Sequence, residues 1–193
     1  MDISTDYRVI ETADLPSGRF DRVSIRLHWL TVLLVAFQLT TAFLPHEEGN
    51  GRMLRMLHRS AGVLTLAVVL FRLFWRARFA FLPPFPPNMS KAQQRAAKAN
   101  EYALYGMLLV QPLTGLADAV VHGRPFMLFG LQVPALMAMN RPLFHLTGQL
   151  HEAGAWMLIG LIGLHIGAAL LHGLVLRDGV LQRMLPERFS RAP

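Results

Sequence analysis

The chain has 193 residues, is 53% hydrophobic and 16% charged, and has a mean hydropathy of +0.36, a composition that points away from a soluble domain and towards a membrane protein. Cysteine is absent, which excludes disulfides, thiolate-bound iron–sulfur clusters and cysteine nucleophiles. The 19 Lys and Arg outnumber the 12 Asp and Glu, but they flank apolar segments, so they read as membrane-surface charge and not as a nucleic-acid footprint.

Residues 1–23 are polar and of mixed charge, without the basic start, apolar core and small-residue cleavage site of a secretory signal. They are expected to form a cytoplasmic tail, followed by a transmembrane domain over 24–177 and a second cytoplasmic tail over 178–193. Four apolar segments are long enough to cross about 30 Å of hydrocarbon as helices. The first runs from about Ile25 to Leu44 and the second from about Met56 to Trp75. A proline-stiffened loop, FLPPFPPN, then leads through a basic stretch into the third, from about Tyr102 to Val121. Pro112 and Gly115 in QPLTG predict a kink there. The segment from His122 to Gly148 is too apolar for an ordinary loop and is expected to lie in the interface or fold back over the bundle. The fourth segment runs from about Gln149 to Leu174. With the N-terminus cytoplasmic, 14 Lys and Arg fall on the cytoplasmic side and five on the other, so both termini are expected there. Trp29, Trp75 and Trp156 lie near helix ends and fit an interfacial aromatic belt.

Histidine inside a spanning helix is costly and faces the bundle interior with a partner. His28 opens the first segment, and His58 opens the second from the opposite face. His151 opens the fourth on the same side as His58. His165 follows 14 residues later, about 21 Å further along the helix and level with His28. Two pairs therefore form at two depths: His58 with His151, and His28 with His165. Facing imidazoles of this kind can supply both axial ligands of a haem iron packed between helices, leaving no open position on the metal. Such a centre passes electrons and does not bind oxygen. Zinc fits less well, because two histidines per level leave its coordination incomplete. The plain alternative is four histidines hydrogen-bonded between helices without metal.

Gly62 follows His58 by four residues, Gly154 follows His151 by three, and Gly167, Ala168 and Ala169 follow His165; such small residues suit either a flat ring or close helix packing. Arg59, beside His58, and Arg26, two before His28, are candidates for haem propionates, or else interfacial side chains reaching for water. His172 lies one heptad past His165, where it either replaces that ligand or sits at the rim. His46, His122 and His145 read as solvated loop residues. HEAGA lacks the second histidine of a zinc-protease motif, so Glu152 reads as a helix-start carboxylate. Asp118 reads as a rim residue or a proton or quinone group.

RLHWLTVLLVAF, LHRSAGVL, QPLTG, LHEAG and GLHIGAALLH together resemble the bacterial cytochrome b561 family, over about residues 20–186. The resemblance implies an all-α, transmembrane four-helix bundle with two haems between the helices, held by His28, His58, His151 and His165. It also implies two bis-histidine haems b, a link to quinone (ubiquinone as acceptor), and an inner-membrane place among lipid. The external donor is expected to be superoxide or a redox protein, with Arg52, Arg55, Arg59, Arg124 and Arg141 drawing in the anion. His172 then stands near a quinone headgroup. The rival expectation is a membrane-anchor subunit relaying electrons from a partner dehydrogenase or hydrogenase, docked through the apolar loop. Arg59 departs from the smaller residue expected after the helix-two ligand.

Overall fold

The computed structural model describes residues 18–44 and 51–185. Four helices dominate: α1 (Arg22–Phe43), α2 (Gly51–Arg78), α3 (Lys91–Val121) and α4 (Arg141–Leu170). All four are long and apolar enough to cross a membrane. Even the shortest, at 22 residues, extends about 33 Å at 1.5 Å per residue.

The helix starts are written in the sequence. Asp21 caps α1, accepting from the Ser24 N–H and hydroxyl at 2.9 and 2.7 Å and from Trp75 Nε1 at 3.1 Å. Ser90 and Gln93 form a reciprocal capping box on α3. Asn140 caps α4, with Pro142 in its first turn. Helix α4 thus begins some eight residues before the apolar run suggests, which places His145 inside a helix and not in a loop. It also moves Glu152 eleven residues in from the helix start, exposed and too far along for the macrodipole to favour it.

Five hydroxyls within the spans are satisfied locally: Thr31, Thr40, Thr41, Ser60 and Thr65 each donate to a backbone carbonyl one turn back in their own helix, so none of these is left to lipid. Pro112 lies within α3, which continues through it. The packed centre is Val69, Tyr105, Leu108 and Leu158, from α2, α3 and α4, with Val35 of α1 against it. Most other large apolar side chains on the helices point outward, as a lipid-facing surface requires.

Sequential helices pack side by side, α1 on α2, α2 on α3 and α3 on α4. By contrast α1 and α4 make almost no direct backbone approach, which leaves a slot between them. The α3–α4 connection folds back on the bundle, as its apolar character predicts, but by a device the sequence reading lacks. It forms a hairpin of β1 (Phe126–Leu128) and β2 (Leu131–Val133), paired Phe126 with Val133, that packs on α2. Phe129 and Gly130 make its two-residue turn, with φ of 50° and 80°. The unusual left-handed Phe129 is tied down by its N–H, which donates to Ser60 Oγ at 2.7 Å.

At the other end of the bundle, α4 passes through a π-helical turn (Leu171–Leu176) and stops at Arg177, whose φ is 49°. The strap that follows returns across the end of α1. Trp29 Nε1 donates to the Met184 carbonyl at 2.8 Å, the Phe20 N–H to Arg183, and Arg183 to the Pro84 carbonyl. Residues 18–21, the α2–α3 loop and residues 178–185 therefore share one end, and the hairpin occupies the other.

Candidate metal centres

The structure brings together the histidines that depth alone pairs. His28 of α1 faces His165 of α4 across the slot, with ring centroids 6.2 Å apart. His58 of α2 faces His151 of α4 at 6.1 Å, nearer the hairpin. Two metal–imidazole bonds of about 2 Å, plus roughly 1.1 Å from each nitrogen to its ring centre, put centroids about 6 Å apart around one metal ion. Both levels meet that separation. Among the described residues no three His, Asp or Glu side chains gather as a metal site, so each level offers two imidazoles and nothing more. That donor set fits the two axial positions of a haem.

The levels differ in how their second ring nitrogens are held. The single hydroxyl proton of Thr41 goes to the Phe37 or Gln38 carbonyl, so its oxygen accepts from His58 Nδ1 at 3.0 Å. His151 Nδ1 lies 3.1 Å from the Gln111 carbonyl, which can only accept, and 3.2 Å from Thr114 Oγ1. In both rings the lone pair is thereby fixed on Nε2, the tautomer a metal needs. Gln111 closes the arrangement by donating its side-chain amide to the His151 carbonyl at 2.7 Å. Gly115 makes room for it, since a Cβ there would stand 2.8 Å from His151 Cε1. QPLTG is thus a socket for His151 on α3. The sequence reading takes its glycine and proline as a kink signal and misses the roles of Gln111, Thr114 and Gly115.

The His28–His165 level has no such acceptors. Arg72 Nη2 lies 3.3 Å from His28 Nδ1, and the same guanidinium stacks over the Tyr105 ring at 5.2 Å. Among the described residues His165 has no hydrogen-bond partner, and it is exposed. Two residues further on, Gly167 faces open space.

The other two glycines serve helix packing. A Cβ at Gly62 would meet Gln38 Nε2 at 3.1 Å, and one at Gly154 would collide with Gln111 Oε1. Both glycines admit a glutamine from a neighbouring helix, which is the close-packing role that their spacing allows.

Arg59 turns away from the paired rings and stacks over Phe126 of the hairpin at 5.6 Å. It lines a cavity of about 730 Å³ with Arg52, Arg55, His122, Arg124 and Gln132. Arg141 lies apart from this cavity, at the start of α4. Arg26 is exposed, and a residue two before His28 leaves the helix on another side. His122 packs edge-on against Phe144 at 4.7 Å, and Asp118 accepts from Thr147 at 3.2 Å. His46, with Glu47 and Glu48, lies outside the described residues.

His172 is buried, and its Nδ1 lies 2.5 Å from Asp178 Oδ2. Partial burial pushes the Asp178 carboxyl up, but hydrogen bonds from His172 and the Val180 N–H outweigh it and hold the group below its ordinary range. This pair pins the strap to the end of α4.

Residues 19–187 match the model of the prokaryotic cytochrome b561 family. The chain is 31% identical over 177 residues to cytochrome b561 homolog 1 of Escherichia coli K12, covering 89% of this chain and 99% of that protein. It is 31% identical over 178 residues to cytochrome b561 homolog 2 of the same strain, covering 89% of this chain and 94% of the relative. It is 29% identical over 174 residues to the probable superoxide oxidase CybB of Yersinia pestis, covering 88% and 97%. With four spanning helices around paired histidines, this chain belongs to the prokaryotic cytochrome b561 family, as a multi-pass membrane cytochrome of the b type that serves electron transfer.

Proposed function

We propose that the protein holds two haems b, one between His28 and His165 and one between His58 and His151, and passes electrons from a donor at the hairpin end to membrane quinone at the other. The observation that carries this reading is the pair of facing imidazole sets at two depths, each at the separation two ligands of one metal require. Haem held this way supplies one-electron chemistry with both axial positions filled. The chain's own part is to fix ring tautomers through Thr41 and Gln111 and to present positive charge in the cavity at the hairpin end.

Superoxide is the donor this reading favours. The cavity beside His58 gathers Arg52, Arg55, Arg59 and Arg124, which would concentrate a small anion near that level. A relative is named a probable superoxide oxidase, which agrees. In the balanced reaction two superoxide ions give up one electron each and leave as dioxygen. One quinone takes both electrons with two protons and becomes quinol. We place the hairpin end outside the bacterial inner membrane and both termini in the cytoplasm, on the excess of Lys and Arg at the termini end.

The test is stopped-flow reduction of purified protein by superoxide, with and without ubiquinone. Rapid reduction, followed by reoxidation only when quinone is present, is the expected result. Reduction requiring a stoichiometric co-purifying dehydrogenase would replace this reading with that of an anchor subunit.

A further inference from the structure

The two histidine levels are electrically unlike, and the difference centres on one side chain the function does not use. At the His58–His151 level both second-ring nitrogens give their protons to neutral acceptors, Thr41 Oγ1 and the Gln111 carbonyl. Such partners make a ligand more electron-donating. At the His28–His165 level the neighbour is instead a cation. Arg72 lies within a membrane-spanning helix, 3.3 Å from His28 Nδ1, with Tyr105 against its flat face. Among the described residues it makes no ion pair. The nearby carboxylate, Glu101, is taken by Arg76 and Lys98, both at 2.9 Å.

We infer that Arg72, as a fixed charge beside His28, raises the reduction potential of the centre at the His28–His165 level above that of the other and so sets the direction of electron flow. The inference rests on the two-haem reading. A fixed positive charge beside a redox centre favours the form carrying one more electron. With a metal on Nε2 the His28 proton sits on Nδ1, so Arg72 is a neighbouring charge and not a hydrogen-bond partner of the ring; Tyr105 keeps the guanidinium at this level, and it cannot be deprotonated. The arginines near His58 do less. Arg52 and Arg55 are exposed, and Arg59 faces an open cavity, where water weakens a charge about fourfold relative to a site within the protein. One electron arriving at the hairpin end therefore moves downhill to the His28–His165 level, leaving the first centre oxidised by one electron and the second reduced by one.

The test is a spectroscopic redox titration of the detergent-purified protein, with a haem count on each sample. His58→Ala, which keeps only the His28–His165 level, assigns the midpoints. In Arg72→Gln the reduction equilibrium of that level should fall roughly tenfold, equivalent to about 59 mV for one electron, and the other midpoint should stay in place. Arg72→Lys, which keeps the charge, should retain most of the wild-type value. Two haems with unmoved midpoints in Arg72→Gln would overturn the inference and leave the two-haem reading intact. So would loss of that haem in Arg72→Gln with an unshifted midpoint in the other level and no rescue by Arg72→Lys, since Arg72 would then be a structural prop. A haem count of zero in the unsubstituted protein would overturn the two-haem reading itself.

Discussion

His151 and Gln111 hold each other at two points. The imidazole Nδ1 donates to the Gln111 carbonyl at 3.1 Å, and the glutamine side chain donates back to the His151 carbonyl at 2.7 Å. This reciprocal contact ties α3 to α4 at the depth where His151 faces His58. An imidazole on one helix is thus oriented by the backbone of another, and helix packing and ring orientation become one property.

That coupling makes Gly115 a sensitive position. A methyl group there would meet the His151 ring at 2.8 Å, in a helix interface that cannot easily widen. Gly115→Ala should therefore turn His151 off axis and cost the haem at that level. A pyridine haemochrome assay should fall from two haems towards one, while the four-helix circular dichroism signal persists. An unchanged count and spectrum would refute the socket.

Thr41 acts on the facing ring. Thr41→Val keeps the shape but removes the acceptor for His58 Nδ1, so haem affinity at that level should fall about 10–100-fold. Thr41→Ser should restore most of it. Haem transfer to apomyoglobin measures the loss.

Much of this was legible in the sequence. Four apolar runs gave four helices, and the 14 residues between His151 and His165 gave two depths, because helical rise is fixed. What escaped had local physical causes. Asn140 and Pro142 start α4 inside an apolar connection that reads as interfacial or folded back, and a Phe–Gly pair is an uncommon type of hairpin turn that the Ser60 contact supports. Gly62 and Gly154 signal close approach without saying of what, and the approaching groups are Gln38 and Gln111. Arg72 reads along the chain as one more basic residue near a helix end, since nothing in its sequence neighbours shows that it turns inward to His28.

The basic cavity predicts salt dependence. Arg55→Gln with Arg124→Gln removes two of the four arginines and should slow reduction by superoxide about tenfold at low ionic strength. The deficit should shrink as salt screens the wild-type protein. Rates measured by pulse radiolysis across a salt series would decide it, and parallel curves for both proteins would speak against steering.

The strap carries a pH dependence of definite sign. Asp178 titrates below its ordinary value of 3.8 when folded, so its contribution is complete above that value and is lost as pH falls through the lower, folded one. Residues 178–185 should be protected from hydrogen exchange at pH 6 and open progressively as the pH falls below 3.8, with Asp178→Asn open throughout. Equal protection of the variant at pH 6 would show that the His172 pair does not pin the strap.

The central claim is two haems on four named histidines, and a haem count tests it most directly. Reduced-minus-oxidised spectra with quantitative haem assay should give two low-spin b haems in the unsubstituted protein. His28→Ala and His58→Ala should each retain one, with different midpoints. A single haem in the unsubstituted protein, or two haems retained in either variant, would contradict the account.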